Sequence, residues 1–436
     1  MEASVRAARA RRGVLQNTRA HLAAAPGANV GAERFIPPEL DRTNEVMRVN
    51  EVARALPKTE LHLHLDGSIT NEFICEAAAR RGIELPPPNL LPAHIDEIRS
   101  QDMRARPGDG KKTMEAGKNW GIFDWMCQFL QTEWELEEGC KTLMESLTRD
   151  NVFYAEVRFC PELHTLEGLD VERVTAAVCR GLASGCAATG GAIRGGVIVC
   201  CLRSFSPEHS LEHAKLAHAF LGKGVVAFDT AGDEHYMLAV HEDALRYCAD
   251  NGVPFTVHAG EVMAEADPKA MLPNIELALD LGATRLGHGF AICQSDALMR
   301  RAAAQGVTVE VCLPICLNPR FAWYAGSGEN PYAKHPIASW YREYGLAAAL
   351  SCDNITLSGT RKISSSSQLT HLVMDIGFSW AEARDVLLAG AKASFLPADE
   401  KRQLVADFEA ALDATAAELG LEWVEEAAVE AAVGEP

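Results

Sequence analysis

The chain has 436 residues, 48% of them hydrophobic and 23% charged, which is ample for a large buried core. Sixty acidic residues against 41 Lys and Arg give a formal net charge of −19, which argues against nucleic acid as a partner but not against an uncharged small molecule. No run of about 18 apolar residues is present, so no membrane span is expected. The 13 cysteines are odd in number and irregularly spaced, which fits reduced thiols used as small core residues. Cys312 and Cys316 read the same way, since no CxxC pair accompanies them.

Residues 1 to about 35 are rich in Ala and Arg, with only Glu2 and Glu33 as acids. Their composition fits an organelle transit peptide or a frayed extension, and leaves the two open. The expected location is cytoplasmic, with organelle targeting by this extension as the alternative. Three parts are expected: an extension over 1–40, one domain over 41–415, and an acidic tail over 416–436.

The first strand-like run is 58–67, KTELHLHLDG. Alternation along a strand puts His62 and His64 on one face, with Leu61, Leu63 and Leu65 packing behind them. Two imidazoles so placed form half of a metal site. A long insertion over 68–151 follows. Within it, 99–112 is polar and Gly/Pro-punctuated and predicts a loop. The stretch carrying Phe123, Trp125, Met126, Phe129 and Leu130 has helical spacing. It serves either as core or as a lid over the mouth of the fold, where Trp125, Met126 and Phe129 would touch a substrate.

Strand-like runs recur at 152–161, 193–203, 225–232, 254–261, 284–292, 307–315 and 346–355. Helix-patterned stretches such as 211–221, 241–251 and 275–282 lie between them. Eight β–α alternations in about 300 residues predict an α/β fold, a closed (β/α)8 barrel of TIM type with a helical insertion after the first strand. His62 and His64, then His258 and Glu261, His288, and Asp353 with Asn354 fall at the C-terminal ends of strands one, five, six and eight. Barrel enzymes gather their chemistry there. Imidazole and carboxylate ligands with one position left for water suit zinc and metal-assisted hydrolysis.

The segments PKTELHLHLDGS, AEVRF, FDTAGDE, VHAGE, LGHG, SCDN and KASFLP, in this order from about 57 to 397, resemble those of the adenosine deaminase family. The resemblance implies one Zn2+ per chain, held by His62, His64, His258 and Asp353. It implies that Glu261 protonates the purine ring nitrogen beside the reacting carbon and that His288 orients the attacking hydroxide. Asp353 would also accept the proton of the attacking water. The Gly232 backbone would contact the other pyrimidine-ring nitrogen, and Asp66 would hold the ribose 5′-hydroxyl. In relatives acting on adenine Glu tends to stand at the Asp66 position, and in those acting on methylated AMP, Asn.

Two departures stand out. Asn354 replaces the family's usual second Asp, and an amide can donate to the purine imidazole nitrogen without first being protonated. The run 310–318, EVCLPICLN, departs from the family's Cys-Pro-x-Ser-Asn, so an altered pocket wall is expected there. The expected substrate is a small purine nucleoside, adenosine and with it 2′-deoxyadenosine. A monomer or weak homo-oligomer without nucleic-acid or membrane partners is expected. The competing readings are deamination of another aminopurine or modified nucleoside, and a non-catalytic barrel that only binds.

Overall fold

The computed structural model describes residues 38–102, 121–261, 267–317, 330–332, 334–361 and 363–423. Among these, eight parallel strands run in chain order: β1 Lys58–His64, β2 Val152–Phe159, β3 Arg194–Leu202, β4 Val225–Ala231, β5 His258–Ala259, β6 Arg285–His288, β7 Thr308–Val311 and β8 Ala347–Leu350. Strands β1 to β4 form one four-stranded parallel sheet and β5 to β8 another. Two seams close them into a barrel. At β1/β8, His64 N donates to Asp353 O and Asp353 N to His62 O, both at 2.9 Å. At β4/β5, Phe228 N donates to Pro254 O at 2.9 Å and Thr256 N to Phe228 O at 3.0 Å.

Crossover helices surround the barrel, and their starts carry the expected chemistry. Thr132 and Glu135 form a capping box ahead of the helix Glu133–Leu147. Asp170 caps Val171–Ala188, and Ser206 followed by Pro207 opens Pro207–Phe220. Small residues let the helices approach: a Cβ on Gly181 would lie 2.3 Å from Glu137 O in the neighbouring helix. Every strand is largely buried, and Leu61, Leu63 and Leu65 are wholly so, packed away from the histidines as alternation requires. All thirteen cysteines are free thiols and most are buried, and no helix among the described residues is long and apolar enough to cross a membrane.

Some boundaries differ from the sequence reading. The helix Pro38–Ala55 begins inside the span assigned to the extension, and Lys58 Nζ caps its end by donating to Ala53 O and Leu56 O at 2.7 Å. The last helix, Ala398–Leu419, runs through the boundary drawn at 415 because its buried stripe of Leu404, Phe408, Leu412 and Ala416 keeps helical spacing past it. Beyond it Trp423 Nε1 still donates to Asp413 at 3.3 Å. The loop expected over 99–112 starts later: Arg99 to Asp102 close the helix Leu91–Asp102, with Arg99 Nη1 donating to Leu357 O at 2.6 Å. The rest of that loop, the extension before residue 38 and the tail after 423 lie outside the described residues.

His335 offers a test of the packing. Its buried ring lies against Phe290 and Trp340, and its Nδ1 accepts from Ile337 N at 3.1 Å. Burial pushes its pKa down to about 3, against about 6.5 for an unfolded chain. Between those values the unfolded chain binds more protons, so this contribution to stability is complete above about 6.5 and is lost as pH falls toward 3. His335→Asn retains an acceptor for the Ile337 N–H but cannot titrate. The fall in melting temperature between pH 7 and pH 5 should be shallower in the variant; parallel slopes would refute this account.

Candidate active site

Four histidines and an aspartate meet at the C-terminal mouth of the barrel. The ring of His62 lies 5.4 Å from that of His64, 4.4 Å from that of His258 and 4.7 Å from that of His288, centroid to centroid. Asp353 Oδ1 is 3.6 Å from His62 Nε2 and 3.3 Å from His64 Nε2. His64 Nε2 and His258 Nε2 are 3.3 Å apart. His62, His64 and Asp353 each offer a ligand atom within 4.8 Å of the others, as do His62, His258 and His288, and Glu261, His288 and Asp353. The residues singled out in four distant segments therefore converge.

Buried carboxylates stand behind two of the rings. His62 Nδ1 is 2.8 Å from Glu310 Oε2, and His258 Nδ1 is 3.0 Å from Asp229 Oδ2. With its proton on Nδ1, facing Glu310, His62 turns its Nε2 lone pair toward the cluster, the orientation that a metal ligand needs. His62 Nε2 is wholly buried and has no hydrogen-bond partner. Burial, the Arg158 charge and the neighbouring histidines keep the pKa of His62 well below its ordinary value, and burial with His258 and Arg158 does the same for His64. Neutral imidazoles with orphaned lone pairs beside a carboxylate form a donor set that fits a divalent metal.

Arg158 governs the two carboxylates. Its Nη1 donates to Asp229 Oδ2 at 2.8 Å, and its Nη2 to Glu310 Oε2 at 2.7 Å and to Leu61 O at 2.6 Å. Burial alone would raise the Asp229 pKa, but His258 and Arg158 outweigh it and hold the group well below the usual carboxylate range. Thr256 Oγ1 donates to Glu310 Oε1 at 2.9 Å, and Arg285 Nε stands 2.7 Å from the same oxygen. The sequence reading did not assign Asp229, Glu310 or Arg158. FDTAGDE and AEVRF contained two of them, and charged residues within otherwise apolar strands were the available signal.

Glu261 follows β5, its side chain partly exposed at the mouth with Oε2 3.8 Å from His288 Nε2. Burial, reinforced by Asp353, Glu234 and Asp233, raises its pKa well above the ordinary carboxyl value. Glu234, also unassigned from sequence, accepts from Gly260 N at 2.9 Å and Glu261 N at 2.7 Å and so fixes the turn that presents Glu261. His288 and Asp353 both adopt left-handed backbone, φ 62° and 61°. Such strain in non-glycine residues concentrates at functional sites.

Asp66 lies in the one-turn helix Leu65–Ser68, just beyond β1, and is buried. Burial raises its pKa to about 6. Gly67 beside it must be glycine: a Cβ there would lie 1.7 Å from Asn354 Oδ1. Gly232 follows β4 with φ 95°, a backbone that glycine favours. The short helix Ile122–Cys127 packs near Asp66, with Cys127 Sγ 3.8 Å from Asp66 Oδ2. Met126 and Phe129 are wholly buried in the main core, so the core alternative holds for them, and as placed they offer no surface to a substrate. Trp125 remains half-buried, edge-on to Phe129 at 5.2 Å. Cys312 and Cys316 are buried thiols at the start of the divergent run, of which Asn318 lies outside the described residues.

Glu310→Gln tests the tautomer argument. Loss of an outer-shell partner costs about 10–100-fold in metal affinity. A competitive chelator titration should show a loss of that size, with the folded structure retained by circular dichroism. Unchanged affinity would mean that Glu310 does not orient His62.

The family model described as adenosine deaminase matches residues 57–411. An adenosine deaminase of Haemophilus ducreyi is 32% identical over 354 residues, which cover 80% of this chain and 94% of that one. Among solved structures, an amidohydrolase from Burkholderia ambifaria with bound Zn is 22% identical with a TM-score of 0.69, covering 91% of this chain and 98% of that one. The N6-methyl-AMP deaminase of Arabidopsis thaliana is 23% identical with a TM-score of 0.67, covering 84% and 99%. Those two likenesses concern the barrel; the family match spans every ligand-bearing strand end, and this chain belongs to the adenosine deaminase family.

Proposed function

We propose that this chain hydrolyses adenosine, and with it 2′-deoxyadenosine, to the inosine product and ammonia. One zinc ion would be held by His62, His64, His258 and Asp353. A metal so held supplies a nucleophile at neutral pH, because water coordinated to it has its pKa lowered to about 7.

The observation that carries this reading is Glu261, a carboxylic acid whose pKa burial and neighbouring acids push well above the ordinary value, within 3.8 Å of His288 at the mouth of the histidine cluster. Addition of hydroxide to a purine carbon builds negative charge on the adjacent ring nitrogen. Glu261 donates a proton there as the charge develops. His288, neutral because burial and the other histidines hold its pKa well below the ordinary value, orients the attacking oxygen. Asp353 accepts the proton released by the attacking water. The Gly232 backbone and the Asn354 amide hold the purine, Trp125 covers it, and His64 and Asp66 line the approach to the ribose. A binding-only barrel would gain nothing from burying the unpartnered His62 Nε2 lone pair, which is costly to leave unsatisfied.

Asp66 separates nucleoside from nucleotide. A carboxylate accepts a hydrogen bond from an uncharged 5′-hydroxyl and repels a phosphate. Ultraviolet assays on adenosine, deoxyadenosine, AMP, N6-methyl-AMP and adenine should give kcat/KM for adenosine roughly 100-fold or more above that for AMP, because like-charge juxtaposition costs several kcal/mol. A preference for either nucleotide or for adenine would overturn the assignment.

Glu261→Gln should lower kcat by about 10²–10⁴-fold with a much smaller change in KM, the range for loss of a general acid. Metal content should stay at the wild-type value. Loss of metal would make Glu261 a ligand or its support; retained kcat would place the proton donor elsewhere.

A further inference from the structure

Beside the histidine cluster lies a second group of ligand-type side chains, of which the deamination scheme uses Asp66 and leaves Cys127 and His164 unexplained. Asp66, Cys127 and His164 each offer one ligand atom, and these atoms lie within 4.8 Å of one another. All three residues are buried, His164 completely. They come from three separate segments: the turn after β1, the helix Ile122–Cys127, and the 3-10 turn Pro161–His164 after β2.

The hydrogen bonding around the group is incomplete in a telling way. His164 Nδ1 is 3.0 Å from Leu130 O, so its proton sits there and Nε2 is left with a lone pair. His164 Nε2 is buried with no partner, and so is Asp66 Oδ1. The other Asp66 oxygen has only a weak thiol contact, from Cys127 Sγ at 3.8 Å. An imidazole lone pair and a carboxylate oxygen are both acceptors and cannot satisfy each other. Leaving either one buried and unpaired is unfavourable. A cation satisfies both at once and uses the thiol as a third donor.

We propose that Asp66, Cys127 and His164 form a second metal site, for a borderline-soft divalent cation such as Zn2+, next to the histidine cluster and separate from it. Thiolate, imidazole and carboxylate are the donor types zinc takes, and three protein ligands leave one position open. On binding, the Cys127 S–H bond breaks, its proton passes to solvent, and a sulfur–metal bond forms without oxidation or reduction. The site would bind excess metal and act as an inhibitory one. Resting on the nucleoside reading above, occupation of Asp66 removes the contact to the ribose 5′-hydroxyl, so the cation competes with substrate.

Cobalt distinguishes the two sites, because the proposed catalytic ligands His62, His64, His258 and Asp353 include no sulfur. Protein loaded with one equivalent of metal is titrated with Co2+, followed by thiolate-to-cobalt charge-transfer absorption, and with Zn2+, followed by equilibrium dialysis and metal analysis. The expected result is a second equivalent per chain and the appearance of the thiolate band. Cys127→Ser should abolish the band, and His164→Gln should weaken the second equivalent while the first stays bound. Excess Zn2+ should raise KM for the nucleoside and leave kcat unchanged. Absence of a second equivalent in the wild-type protein would overturn the proposal without recourse to any variant. A thiolate band that persists in Cys127→Ser would do so as well, by placing the ion elsewhere. The stoichiometry and the band are read whatever the substrate proves to be, so failure of this site and failure of the deaminase reading remain distinguishable.

Discussion

A single guanidinium in the barrel interior is the constraint on which the site depends. Arg158, on β2, reaches Asp229 on β4, Glu310 on β7 and the backbone of β1. It therefore joins the two four-stranded sheets through charge as well as aligning the carboxylates behind His258 and His62. Burying such charges carries a heavy desolvation cost, and the interaction is favourable only as a complete set. Arg285 completes it, 2.6 Å from Glu156 and 2.7 Å from Glu310. Breaking a buried pair by removing one partner costs about 3–5 kcal/mol, so geometry and stability at this level are hard to separate. Ligand orientation is thereby built into the same contacts that hold the barrel closed.

The mouth is shaped by backbone as much as by side chains. Asp353 sits in a left-handed conformation that costs of order 1–3 kcal/mol, yet its N–H and C=O are both fixed by β1 at the seam. That seam carries His62 and His64, so the strain is held by the pairing that delivers the other ligands. Gly67 lets Asn354 close over the turn bearing Asp66, which couples the end of β8 to the end of β1 a second time. Glu234 does comparable work across β4 and β5, fixing through two backbone amides the acid that must reach the substrate.

Much of this was legible in the sequence because period-2 alternation and ligand chemistry are local signals. KTELHLHLDG announces both a strand and two inward imidazoles, and the eight strand runs appear where the alternation puts them. The supporting charges were hidden for a physical reason. Arg158 meets partners 71 and 152 positions away, and a charge in an otherwise apolar strand shows nothing of what it faces until the barrel closes. Met126 and Phe129 were ambiguous because helical spacing is the same for a lid and for a core. The domain end at 415 was misplaced because Ala- and Glu-rich composition suits a solvated tail as well as a helix whose apolar stripe continues to Ala416.

What separates the roles of the carboxylates is environment. Asp229 and Glu261 are both acids beside histidines of the cluster, His258 and His288 respectively. Burial acts on each in the same direction, but Asp229 faces His258 and the Arg158 charge while Glu261 faces Asp353, Glu234 and Asp233. The first is pushed toward its ionised form, and the second toward the neutral form that has a proton to give. Opposite displacement of two carboxyls by opposite neighbours is how one fold provides a fixed anion and a general acid at the same pH. In this chain the difference traces to the charges each carboxyl meets: His258 and Arg158 beside Asp229, and Asp353, Glu234 and Asp233 beside Glu261.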